Sequence, residues 1–267
     1  MRVSLIQMNV TLADEAANTK TLLRLAEEAM TAAEPPDVLV LPELWTTGFY
    51  PRPIADYADA GGARAKAALS ALAARYGVNV VGGTIARGAK GGVYNTCYIF
   101  GRDGACLASY DKSHLFTPSG EKRDFAAGER LVTFLLDGTP CGIAVCYDLR
   151  FPALFSALAR AGVEVLFLPA AWPLVRLAHW QTLLCARAIE NQIFVCACNA
   201  ASADESLAGH SALLDPWGET LGEAGLAETI VTATLPLARR RAIKQKLDVF
   251  DDWRAGLYEK PVVQANR

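Results

Sequence analysis

The chain has 267 residues, 52% of them hydrophobic and 20% charged, which is the composition of a globular chain with a sizeable core. A net charge of −2 and an isoelectric point near 6.0 show no basic excess, so neither nucleic acid nor an anionic membrane surface is expected as a partner. No apolar run reaches the length of a membrane span, so no membrane is expected either. The seven cysteines are odd in number and several lie inside apolar runs, with no leader pattern ahead of a strand-like start; this points to a cytoplasmic protein with reduced thiols. The histidines are scattered, and Cys196-Ala197-Cys198 has strand alternation instead of zinc spacing, so no metal is expected.

In chain order, RVSLIQM reads as a strand, NTKTLLRLAEEAMTAA as a helix by its apolar spacing, and DVLVLPE as a buried strand. ARAKAALSALAARYG is an alanine-rich helix closed by Gly77. NVVGGTIA, VYNTCYIFG and CLASYDKS follow as strands, the last two turning at Arg102-Asp103-Gly104, and LVTFLL pairs with CGIAVC around Asp137-Gly138. A helix opening at Pro152, the apolar strand VEVLFLPA, a long helix from Arg176 to Asn191 and the strand IFVCACN come next. A hairpin turning at Asp215-Pro216-Trp217-Gly218, a strand TIVTATLP and a basic helix ARRRAIKQKL lead into the tail. Strand pairs interleaved with helices imply an α/β fold whose sheets are covered by helices, in one domain spanning 1–267.

Three strand ends carry the candidate chemistry. The run Gly142–Val145 delivers Cys146 onto a polar turn just ahead of the Pro152 helix, where the thiol is expected to be exposed and easily ionised by the positive helix end. Glu43 directly follows a buried strand, where a carboxylate must be paired and suits a general base. Lys112 ends another strand, where an ammonium can stabilise an oxyanion and a thiolate. Alone, each is ordinary: an inert core cysteine, a turn cap, a surface charge. Asp148 and Arg150 are expected to orient the nucleophile turn without joining the chemistry. Arg187, Glu190 and Asn191 would brace the sheets through buried ion pairs and hydrogen bonds, and His179 and Trp180 would pack inside a helix face.

LPELW at Leu41–Trp45, YDKSHLF at Tyr110–Phe116 and GIAVCYDLRFP at Gly142–Pro152 resemble, in that order, the three motifs of the nitrilase, or carbon–nitrogen hydrolase, superfamily. The resemblance runs from residue 2 to about residue 258. It implies a four-layer αββα sandwich with a Glu43–Lys112–Cys146 triad and a second glutamate beyond the lysine, for which Glu121 is the candidate. It also implies a homodimer, with the C-terminal tail (about 249–267) at the interface, and no cofactor. Such a site would hydrolyse an amide through a thioester on Cys146, the oxyanion held by Lys112 and the backbone N–H of Tyr147.

The substrate is expected to be a small-molecule amide. Nitrilases proper resemble one another in having Trp-Glu after the cysteine, where this chain has Tyr147-Asp148. The WPxxRxxHW segment, Trp172–Trp180, is similar to a bacterial ω-amidase-like group. Arg176 is expected to anchor the carboxylate of an α-keto acid monoamide such as 2-oxoglutaramate or 2-oxosuccinamate, with Trp172, Phe49 and Phe116 shaping the pocket. Alternatives are a deaminated-glutathione or N-carbamoyl substrate, or a catalytically silent scaffold of the same fold.

Overall fold

The structure, a computed structural model, describes residues 1–204, 206–258 and 260. Its elements are β1 (Arg2–Gln7), α1 (Glu15–Met30), β2 (Val38–Val40), β3 (Asp59–Ala60), α2 (Ala63–Tyr76), β4 (Asn79–Val81), β5 (Ile85–Ala89), β6 (Gly92–Phe100) and β7 (Cys106–Asp111). There follow α3 (Glu121–Asp124), β8 (Thr133–Leu136), β9 (Thr139–Ile143), α4 (Pro152–Arg160), β10 (Val165–Ala170), α5 (Leu177–Asn191) and β11 (Phe194–Asn199). The last are β12 (Ala212–Leu214), β13 (Thr220–Glu223), β14 (Thr229–Thr234), α6 (Ala238–Lys246) and α7 (Ala255–Tyr258).

Two mixed sheets result, one ordered β14-β1-β2-β4-β6-β5-β3 with β7 paired to β6, the other β13-β12-β11-β10-β9-β8. Strand alternation assigns the layers. Val38 and Val40 point into the core shared with the second sheet, where they join Phe167 and Ala197, while Leu39 between them joins Leu22, Leu25 and Leu69 of α1 and α2. On the far side of the second sheet, Phe155 and Leu158 of α4 and Leu184 and Ala188 of α5 close the same core. The fold is a four-layer αββα sandwich.

Most expected elements form, and one expected strand divides. NVVGGTIA is broken into β4 and β5 by Gly82-Gly83, because Gly83 adopts a φ of +58° and a Cβ there would lie 2.2 Å from the Pro42 carbonyl oxygen. The close approach seats β4 beside the loop that carries Glu43. In the tail, the rings of Phe250 and Trp253 lie tilted with centroids 6.4 Å apart and those of Trp253 and Tyr258 4.7 Å apart, with Tyr258 exposed. Of the expected interface segment 249–267, Glu259 and residues 261–267 lie outside the described residues.

Candidate active site

The loops leaving β2, β7 and β9 meet at one end of the sandwich, joined by the short helix α3. The Glu43 N–H donates to the Ala170 carbonyl at 3.2 Å, which ties the first sheet's loop to the end of β10 in the second. Glu43, Lys112 and Glu121 are all buried. The Lys112 ammonium donates to Glu43 Oε1 at 2.8 Å and to both Glu121 oxygens at 3.0 Å, which engages its three protons. Glu43 Oε2 accepts the Ala171 N–H at 2.9 Å, and Glu121 Oε2 the Phe116 N–H at 2.6 Å. Burial alone would pull the lysine pKa down, but the charges of Glu43 and Glu121 outweigh it and hold Lys112 well above its ordinary value. Lys112 is therefore a fixed cation. Burial pushes Glu121 up, against the pull of Lys112, and the charge of Glu43 adds to the rise.

Cys146 sits beside this cluster, but not as an exposed, ionised thiol. It is only 6% exposed, and burial, reinforced by the charge of Glu43, pushes its pKa well above the usual thiol value despite Lys112. The expected helix effect is weak because α4 begins six residues later; Cys146 itself opens a 3₁₀ turn over Cys146–Arg150. The resting group is thus a thiol. Its backbone has a φ of +46°, a conformation that costs a non-glycine residue about 1–3 kcal/mol and persists only where the surroundings enforce it.

Asp148 does the enforcing, in keeping with the orienting role expected of it. Its buried carboxylate accepts the Val145 N–H at 2.9 Å, immediately ahead of Cys146, and the Tyr110 hydroxyl at 2.8 Å. It also accepts the His114 N–H at 3.0 Å and contacts His114 Nδ1 at 2.7 Å, while the His114 ring stacks on Phe151 at 3.7 Å. The Cys146 turn is thereby bound to the segment that carries Lys112.

A pocket of about 240 Å³ opens above Cys146, lined by Phe49, Phe116, Tyr147, Ala171, Trp172, Pro173, Ser206, Leu207 and two arginines, Arg150 and Arg176. All the side chains expected to shape it are there. The structure adds Arg150, expected only to orient the turn, which stacks over Trp172 at 4.7 Å as Arg176 stacks over Phe116 at 5.4 Å. The described lining holds two guanidinium groups and no carboxylate. His179 is not a packing residue: it is exposed, and its Nδ1 lies 3.2 Å from Arg150 Nη2. Trp180 does pack, fully buried against Trp172 with ring centroids 5.5 Å apart. Arg187 is buried as expected, donating to the Leu149 carbonyl at 2.8 Å and pairing with Glu190, whose side chain is nevertheless 44% exposed.

Sequence reasoning passed over Asn95 of β6, whose Nδ2 donates to Glu43 Oε1 at 2.8 Å and Glu121 Oε1 at 3.1 Å. A signal existed. Asn95, Cys97 and Ile99 alternate along one strand face, and the latter two belong to the inter-sheet core, so a polar residue in that row needs partners.

With this geometry in hand, the comparisons with known proteins agree with one another. The carbon–nitrogen hydrolase family model matches residues 2–245. The chain is 40% identical to the 2-oxoglutaramate amidase of Bacillus subtilis over 96% of this chain and 98% of that one. It is 32% identical to the omega-amidase NIT2 of Homo sapiens over 96% of each. Among solved structures, a CN-hydrolase superfamily protein of Xanthomonas campestris with an arsenic adduct in its active site superposes with a TM-score of 0.88, at 30% identity over 99% of each chain. A cysteine beside a buried lysine and two glutamates, on this sandwich and with these relatives, leaves one family: the chain belongs to the carbon–nitrogen hydrolases.

Proposed function

We propose that the protein is an ω-amidase, cleaving the terminal amide of a small α-keto acid monoamide such as 2-oxoglutaramate and releasing ammonia. The observation that carries this reading is the pocket above Cys146, with two guanidinium groups and no carboxylate on its described wall. Such a wall favours an acyl group bearing a carboxylate, which a guanidinium holds with two parallel hydrogen bonds. Its volume, about 240 Å³, lies below the ~300–1,000 Å³ of sites for drug-sized ligands, which suits a short linear substrate. Both amidase relatives named above point the same way.

In the reaction, Glu43 takes the thiol proton as Cys146 Sγ attacks the amide carbon. The charge of Lys112 and the Tyr147 N–H stabilise the oxyanion. The C–N bond breaks as Glu43 returns the proton to the departing nitrogen, leaving ammonia and a thioester. Water then attacks the thioester carbon, giving a proton to Glu43 with Glu121 fixing the geometry. Collapse releases the acid and restores the thiol. The raised thiol pKa explains why a base must act during the attack itself.

Ammonia release from 2-oxoglutaramate, 2-oxosuccinamate, deaminated glutathione and an N-carbamoyl amino acid tests the reading, with Cys146→Ala as control. The keto acid monoamides should give the highest kcat/KM, and Arg176→Ala should raise KM for them about 10- to 100-fold with little change in kcat. An unchanged KM would remove Arg176 from carboxylate binding; a preference for the carbamoyl compound would overturn the substrate. The exposed aromatic tail beside α4 further supports a homodimer joined through this face, and seven unpaired cysteines support a cytoplasmic setting.

A further inference from the structure

We propose that Asn95 is a positioning residue, a neutral bridge that ties Glu43 to Glu121 and lets the two carboxylates share one lysine. This rests on the catalytic reading of the cluster given above. The cluster has an electrostatic deficit: two carboxylates converge on a single ammonium, all three fully buried. Lys112 has no donor to spare. Asn95 supplies the missing ones, so that Glu43 Oε1 and Glu121 Oε1 each accept from both Lys112 and Asn95, at 2.8–3.1 Å, in a closed ring of four side chains. An amide does this without adding charge.

The backbone sets the placement. The Lys112 N–H donates to the Asn95 carbonyl at 2.9 Å, so the pairing of β6 with the end of β7 puts amide and ammonium side by side. The other half of the amide marks the role. Asn95 is fully buried and its Oδ1 has no partner among the described residues, an arrangement that costs stability. A residue serving packing alone would be apolar here. The donors justify the orphaned acceptor.

The charged or titratable groups facing the ring are Glu43 after β2, Lys112 after β7, Glu121 on α3 and Cys146 after β9; β10 leads to the uncharged Ala171 N–H. The Arg87–Asp111 pair lies across β6, bonded to Thr96 on the opposite face.

The test is the pH dependence of kcat/KM for ammonia release in Asn95→Leu and Asn95→Ser, with thermal melting measured in parallel. Losing a hydrogen bond to an ionised group favours protonated carboxylates, so the acid limb should rise by about 1–2 pH units in Asn95→Leu and by less in Asn95→Ser. Asn95→Asp, which adds a third carboxyl, should move it further. Should the leucine variant fail to fold, the serine variant carries the measurement. A folded variant with the wild-type acid limb, even at lower kcat or Tm, reduces Asn95 to a structural residue and overturns the proposal. Cys146→Ala separates the layers: ammonia release surviving there overturns the thioester reading together with this one, whereas an inert Cys146→Ala beside an unmoved limb removes only the role of Asn95.

Discussion

The two ends of the sandwich carry the same set of groups in opposite settings. At one end Lys112 lies between Glu43 and Glu121, with Asn95 as a neutral donor; at the other Arg102 lies between Asp37 and Asp137, with Asn79 donating to Asp137 at 2.9 Å. The first set is 0% exposed, while the three charged side chains of the second are 41–42% exposed, its asparagine alone being buried. Asp37 precedes β2, Asp137 joins β8 to β9 and Arg102 follows β6, so the outer set clasps the two sheets at that end of their strands. Water screens that clasp and allows its members to be weak. The inner cluster has no such relief, and the charges it keeps act at full strength on whatever enters the pocket.

The largest break in this symmetry should come from Lys112→Met. Two buried carboxylates would then face each other uncompensated, and we expect a loss of about 3–5 kcal/mol, a fall in Tm of about 6–20 °C, and at least about 10³-fold in kcat. Calorimetry with the ammonia assay checks this, and an unchanged Tm would refute the buried-charge account. Glu121→Gln should come next, lowering kcat about 10²- to 10⁴-fold with a smaller change in Tm, since Lys112 keeps Glu43 as its partner. Wild-type turnover in that variant would return Glu121 to a structural role.

The smallest effect belongs to the clasp. Arg102→Ala should cost no more than about 1 kcal/mol per exposed pair and leave kcat alone. Its pH dependence has a definite sign. The Arg102 hydrogen bond holds Asp137 below its usual pKa; at Asp37, burial works upward but the Arg2 N–H and Arg102 outweigh it. Carboxylates depressed on folding contribute above their unfolded pKa of about 3.9 and lose that contribution as pH falls through the folded value. The Tm difference between wild type and Arg102→Ala should therefore be flat near neutrality and vanish in acid. Glu121, raised by burial, has the reverse sign: its effect on stability worsens as pH rises past its ordinary value. A difference that persisted unchanged in acid would mean the clasp acts by packing.

The contrast also separates what was legible from what was not. Glu43, Lys112 and Cys146 stand at strand ends, where each alone has an ordinary reading, and it was the three together, in motifs that resemble one family, that singled them out. Asn95 lies inside a strand, and its meaning depends on which residues 52 positions earlier and 26 later fold against it. Arg150 looked like a brace for its own turn; only the approach of Trp172 from the loop after β10 makes it a pocket wall. The burial of Cys146 was misjudged because an exposed turn and a covered one have the same local sequence.

Taken alone, the sequence determined the strand and helix periods, hence the layered fold, and marked Glu43, Lys112 and Cys146 as the candidate groups, since those follow from short-range apolar patterning, side-chain chemistry and the resemblance of three motifs. Their protonation did not follow. Whether Cys146 rests as thiol or thiolate, whether Lys112 stays charged and how two glutamates coexist beside it depend on desolvation and on distances across β2, β6, β7, β9 and α3. Those quantities exist only once the two sheets have closed over one another.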